Sequence, residues 1–166
     1  MKKLLIFRGA PGCGKSTFIK ENNLDKYTLS TDDIRLTLSP PITNEDGTIG
    51  INQAFNHLVF NILYESLKTK MERGEFVVVD STNSKPSDTK QFIKLSKIYG
   101  YTIDCIDMTS LPKEECKRRN KLRENFRVVP EEVIDKMYCR FENKLPEEIN
   151  MITPEEFDIT NYISTI

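Results

Sequence analysis

The run Gly9-Ala10-Pro11-Gly12-Cys13-Gly14-Lys15-Ser16 carries the densest chemical information in the chain. Glycines at this spacing let backbone N–H groups converge on an oxyanion, and the lysine and hydroxyl that follow add a cation and a ligand. Such a run can cradle the phosphates of a nucleotide. Lys15 would reach the terminal phosphates, Ser16 would meet a divalent cation, and Thr17 offers a second hydroxyl nearby. A glycine-rich turn with an incidental lysine is the plainer alternative, and the context described below weighs against it.

Further along lie carboxylates and arginines. Asp32 and Asp33 are followed by Arg35. A carboxylate here could orient an acceptor hydroxyl and take its proton, and Asp32 and Arg35, three positions apart on one helix face, could grip one substrate. The same acidic pair also suits the amino terminus of a helix on electrostatic grounds alone. Asp80 closes the apolar run Phe76–Val79 and begins Asp80-Ser81-Thr82-Asn83. A carboxylate at a strand's carboxyl end can enter the shell of a divalent cation, although a turn residue would look the same. Arg119, Arg123 and Arg127 recur every four residues. In a continuous helix they form one basic stripe; if the helix unwinds, Arg123 and Arg127 sit on a flap able to close over phosphates, and a solvated face is the third option.

The elements needed to position these groups can be read from the pattern. Leu4–Phe7 is a short continuous apolar run ending in a glycine-rich turn, which predicts a buried parallel strand, and a helix follows from Ser16 to Glu21. Tyr27–Ser30 predicts a second strand, with Thr31 as cap of a helix from Asp32 to about Leu38. Ser39 to Gly50 reads as a loop long enough to be a flap. Helical spacing of Phe55, Leu58, Val59, Ile62, Leu63 and Leu67 predicts a helix over Ile51–Arg73, stopped by Gly74. A strand at Phe76–Val79, a helix at Pro86–Tyr99, a strand at Tyr101–Asp107 and helices at Leu111–Asn125 and Pro130–Asn143 complete the alternation. Thr153-Pro154-Glu155-Glu156 has the form of a capped helical turn. Repeated strand and helix units of this size predict an α/β fold: a parallel sheet flanked by helices on both faces.

Composition bounds the rest. A chain of 166 residues, with 38% hydrophobic and 30% charged residues, predicts one globular domain over residues 1–166, in the cytoplasm and away from membranes. Cys13, Cys105, Cys116 and Cys139 are scattered, as suits free thiols rather than a disulfide frame or a zinc site. The net charge of −1 conceals a basic segment at Lys113–Arg127 and a mostly acidic tail from Glu142 onward.

Taken together, GAPGCGKST, Ser30-Thr31-Asp32-Asp33-Ile34-Arg35, Val79-Asp80-Ser81-Thr82-Asn83, and Arg119-Asn120-Lys121-Leu122-Arg123 with Val128-Val129-Pro130 resemble the kinase domain of the 5′-polynucleotide kinases of phage and bacterial nucleic-acid repair. The resemblance spans about Lys3 to Asn143. It implies a P-loop kinase fold with an arginine-bearing lid, ATP and Mg²⁺ as cofactors, and DNA or RNA 5′-hydroxyl ends as acceptors. It further implies Asp32, not Asp33, as general base, Arg35 on the acceptor's phosphate, and Arg123, with Arg119 or Arg127, on the ATP phosphates. Lys15, Asp32, Arg35 and Arg123 are then the expected catalytic set, Gly9 to Thr17 with Arg119, Arg123 and Arg127 the donor site, and Ser16 and Asp80 the metal ligands. Many relatives carry a phosphatase or ligase domain on the same chain; here the resemblance implies a separate ligase or end-repair protein as the partner. A small-molecule P-loop kinase, of the nucleoside, sugar, antibiotic or zeta-toxin-like kind, uses the same cradle, and so does a non-catalytic nucleotide-binding switch.

Overall fold

Leu4 and Ile6 belong to one buried cluster and Leu5 and Phe7 to another, and all four are fully buried. Apolar residues on both faces place this strand at the centre of a covered sheet. The computed structural model describes residues 2–163. β1 (Lys3–Arg8) lies between β5 (Val77–Asp80) and β6 (Thr102–Asp107), with β2 (Thr28–Ser30) beyond β5 and β7 (Ile149–Ile152) beyond β6. All four pairings are parallel, in the order β2-β5-β1-β6-β7.

The first cluster joins Leu4 and Ile6 to Leu63, Leu67 and Met71 of α3 (Asn56–Glu72) and to Phe92 and Leu95 of α4 (Lys90–Tyr99). The second joins Leu5 and Phe7 to Phe18 and Ile19 of α1 (Lys15–Glu21), Cys116 of α5 (Lys113–Lys121) and Ile134 of α6 (Glu131–Phe141). Helices therefore cover both faces, as the alternation predicts. Because every strand runs the same way, the residues that follow β1, β2 and β5 emerge at one edge. Register makes this concrete: Ser30 is level with Asp80, and Ile6 with Val79, so the turn after Arg8, the start of α2 (Thr31–Leu38) and Asp80 share that edge.

Several boundaries differ from the sequence reading, each for a local reason. Ser30, not Thr31, caps α2, its hydroxyl accepting from Asp33 N at 3.3 Å. The expected Ser39–Gly50 loop contains a small hairpin, β3 (Ile42–Thr43) against β4 (Ile49–Gly50), whose turn is set by Gly47 N donating to Asn44 O and Thr48 N to Asp46 Oδ1. α3 begins at Asn56 rather than Ile51 because the Asn52 carboxamide accepts from Ala54 N at 2.9 Å and donates to Ser39 Oγ at 3.0 Å, holding the chain out of the helix. Pro86–Thr89 is a 3₁₀ turn ahead of α4, with Asp88 Oδ2 accepting from Lys85 N. The predicted Leu111–Asn125 helix stops at Lys121. Thr153–Glu156 does form its capped turn.

β7 has no counterpart in the sequence reading. Its four residues are flanked by polar chain, and only pairing with β6 extends them. The four thiols are free; Cys13, Cys105 and Cys116 are buried and Cys139 is exposed. Among the described residues no helix is long and apolar enough to cross a membrane.

Candidate functional site

The turn between β1 and α1 owes its shape to glycine and to close packing. Gly12, at φ 85°, lies so near α5 that a Cβ there would meet Cys116 O at 2.3 Å and Asn120 N at 3.0 Å. Gly14, at φ 102°, turns the chain into α1 directly before Lys15. Lys15 Nζ donates to Gly9 O at 2.9 Å and Ala10 O at 3.1 Å and lies 3.6 Å from Cys13 Sγ. Gly9, Ala10 and Cys13 are buried beneath the loop, whereas Pro11, Gly12, Gly14, Lys15, Ser16 and Thr17 line a cleft of about 1550 Å³. A single small-molecule site usually occupies roughly 300 to 1,000 Å³, so this cleft has room for two ligands side by side.

Its floor is tied to β1. Gly9 N donates to Thr82 O at 3.1 Å, and the buried Asn83, at φ 43°, donates from Nδ2 to Phe7 O at 2.8 Å and Ser81 Oγ at 2.9 Å. The Asp80–Asn83 turn thus fixes where the loop starts. Burial holds the Asp80 carboxyl above its ordinary range; Asp32 and Asp33 act in the same direction, and Lys15 and Arg123 oppose them. No hydrogen bond or ion pair reaches that carboxylate among the described residues. With Ser16 exposed on the first turn of α1, the site offers one carboxylate and one hydroxyl to a cation. Among the described residues no group of three or more His, Cys, Asp or Glu side chains is arranged to hold a metal ion. This donor set fits Mg²⁺ shared with nucleotide phosphates and water rather than a cation caged by protein alone.

Asp32 and Arg35 pair as their spacing predicts. Arg35 NH1 donates to Asp32 Oδ1 at 3.0 Å, and Arg35 Nε and NH2 donate to Asn56 Oδ1 at 3.1 and 2.8 Å. Asn56, the first residue of α3, is a contributor that the sequence reading missed, since a lone asparagine far along the chain carries no signal until α2 and α3 pack together. Asp32 and Arg35 both line the cleft. Asp33 points elsewhere: its Oδ1 lies 3.6 Å from Arg127 NH2, and it does not line the cleft.

The three arginines do not form one stripe. Asn120, buried at the end of α5, donates from Nδ2 to Val129 O at 2.8 Å and accepts at Oδ1 from Val129 N at 3.2 Å, cross-bracing residues 122–128 as a connection between α5 and α6. Arg119 remains on α5, its Nε 2.7 Å from Glu115 Oε1. Arg127 sits in a 3₁₀ turn, with Nε 3.2 Å from Glu124 Oε2 and its guanidinium 5.5 Å from the Phe126 ring centre. Arg123 lies between them, half-buried, and its side chain makes no hydrogen bond or ion pair among the described residues. Burial pushes its guanidinium below its ordinary value, while Asp32 and Asp80 pull it back up; arginine stays charged regardless. All three arginines line the cleft, and β4 packs against the Asn125–Arg127 turn to bridge it.

With this geometry in hand, a family model described as AAA domain matches residues 4–144. The chain belongs to the AAA domain family. The fold of this AAA domain also matches a chain in the structure of the Pnkp1/Rnl/Hen1 RNA repair complex at TM-score 0.66 and 22% identity, over 94% of this chain and 46% of that one. A structure of the Pnkp1/Rnl/Hen1 complex matches at TM-score 0.57 and 25% identity, over 70% of this chain and 38% of that one. A gluconokinase from Sinorhizobium meliloti 1021 matches at TM-score 0.53 and 14% identity, over 97% and 87%. The AAA domain therefore spans about half the length of the repair-complex chain it resembles, or less. The likeness to Pnkp1/Rnl/Hen1 accords with the polynucleotide-kinase resemblance of its motifs, and the fold is that of P-loop kinases.

Proposed function

We propose that this protein is an ATP-dependent polynucleotide kinase that transfers the γ-phosphate of ATP to the 5′-hydroxyl of a DNA or RNA end. The observation that carries the reading is the Asp32–Arg35 pair lining the same cleft as the phosphate loop, with one carboxylate oxygen held by Arg35 and the other free of protein partners among the described residues. A base needs that free oxygen. Asp32 accepts the proton of the attacking hydroxyl as the new O–P bond forms and the bond to the ADP oxygen breaks. Arg35 has five N–H donors and commits one each from Nε, NH1 and NH2, leaving two for the acceptor's phosphate.

The loop amides and Lys15 bind the donor phosphates, and Arg123, with Arg127 on the connection that serves as lid and Arg119 near the end of α5, takes up charge on the transferring group. Ser16 and Asp80 would hold Mg²⁺, which supplies charge neutralisation between the phosphates when bound. The four free thiols suit a reducing cytoplasm. A separate ligase is the partner to look for, given the assembly to which the structural neighbour belongs.

A small-molecule kinase is the second reading. It is favoured by the modest supply of cations on the acceptor side, where Asp46 and Asp88 line the wall along with Lys85. A nucleotide switch without chemistry would have no use for Asp32 and Arg35. Labelled-ATP transfer to 5′-hydroxyl DNA and RNA oligonucleotides, run beside nucleosides and sugars, separates these readings. We expect the label on oligonucleotides; transfer confined to small molecules overturns the polynucleotide acceptor and leaves a kinase.

A further inference from the structure

α3 has two working faces. Val59, Leu63, Leu67 and Met71 are fully buried in the core. One position further round, Asn56, Phe60 and Tyr64 recur every fourth residue and so share a second face. Asn56 holds Arg35, and Phe60 and Tyr64 line the cleft. The two rings lie 6.0 Å apart, tilted by 35°, and the Tyr64 ring meets Phe92 edge-on at 5.8 Å. Both are half-buried. The core supports the back of this aromatic step, and its front faces the cleft on the side where Arg35 would take the acceptor.

The Tyr64 hydroxyl has no hydrogen-bond partner among the described residues, although burial and the nearby Asp88 raise its pKa. That hydroxyl is not fully buried, so it is open to the cleft and available to a ligand there. Gln91 and Ser87 line the same wall and bring further donors and acceptors. Flat rings with polar groups at their margin suit a planar heterocycle better than a sugar ring, and stacking tolerates any base because every base has a π face.

We propose that the Phe60–Tyr64 step stacks the nucleobase of the acceptor's terminal nucleotide, the one whose 5′-hydroxyl receives the phosphate. This rests on the polynucleotide reading above. It makes the presence of a terminal base matter and its identity matter little.

The test compares 5′-hydroxyl oligonucleotides that are identical except for a normal or an abasic terminal nucleotide. For the unaltered protein the acceptor KM rises at least about fivefold on removing the base, with a smaller change in kcat. Phe60→Leu and Tyr64→Leu keep an apolar contact with the core, and melting temperature checks their folding. In both, the KM for the normal oligonucleotide rises and the ratio falls towards one, with the KM for ATP as internal control. An oligonucleotide carrying 2-aminopurine at its 5′ end reports stacking directly: its fluorescence is quenched on binding, and less so with Tyr64→Leu. Transfer to oligonucleotides with equal KM for normal and abasic ends, or a ratio unchanged in both variants, overturns the stacking step alone. Transfer to sugars and to no 5′-hydroxyl nucleotide overturns the polynucleotide reading and the stacking step with it.

Discussion

Arg35 is buried and makes three hydrogen bonds to protein, so its position is set before any acceptor arrives. Asn56 provides two of the three through a single oxygen, yet its own side chain belongs to an exposed residue. Its loss should therefore leave the fold intact and act on substrate. We expect Asn56→Ala to raise the acceptor KM about tenfold, in line with roughly 1.5 kcal/mol for hydrogen bonds to a charged group, while the KM for ATP stays put. Steady-state kinetics with each substrate varied in turn checks this. An equal change in both constants would place Asn56 in general structural support.

At the scale of elements, the connection between α5 and α6 is held in shape by Asn120 and Val129, whose two mutual hydrogen bonds close the segment that carries Arg123 and Arg127. Asn120→Ala leaves the Val129 peptide without its partner, at a cost of about 1–3 kcal/mol. Hydrogen exchange at residues 121–129 should quicken and the KM for ATP should rise, with the sheet still protected. The sequence made the cradle and the alternation of strands and helices plain, because glycine spacing and apolar runs are local signals. Asp32 and Arg35 were legible for the same reason, being one helical turn apart. The end of α5 was not, since nothing in Leu111–Asn125 announces that Asn120 bonds backbone nine residues away. Asn56 and the Ser39–Gly50 hairpin escaped notice on the same grounds: each depends on a partner distant in the chain or on a turn of polar residues. β7 exists through its pairing with β6, which its own sequence does not specify.

At the scale of the whole molecule, the edge of the sheet opposite β2 is tied together by Asp104. Its buried carboxylate accepts from Lys3 Nζ at 2.9 Å, Asn150 Nδ2 at 3.1 Å and Tyr162 Oη at 2.8 Å, joining β1, β6, β7 and the segment after them. Burial alone would raise this carboxyl, but the three hydrogen bonds prevail and hold it below its ordinary value. A carboxyl depressed on folding contributes stability that is complete above its unfolded pKa, about 4, and is lost as pH falls through the lower folded value. Asp104→Asn should then cost about 1–3 kcal/mol at pH 7. The gap to the unaltered protein should narrow below about pH 4, as read by urea unfolding across pH. A gap that does not change with pH would remove the charged form from the account.

The site itself stands or falls on whether Asp32 serves the acceptor side of a shared cleft. The most direct measurement follows transfer of label from γ-labelled ATP to a 5′-hydroxyl oligonucleotide, with the unaltered protein and with Asp32→Ala, alongside ATP binding by each. The predicted result is labelled 5′ ends with the unaltered protein and a rate lower by about 10²- to 10⁴-fold in the variant, the range for a lost general base, with ATP bound equally well. Asp32→Ala protein that transfers phosphate at the unaltered rate would contradict the account.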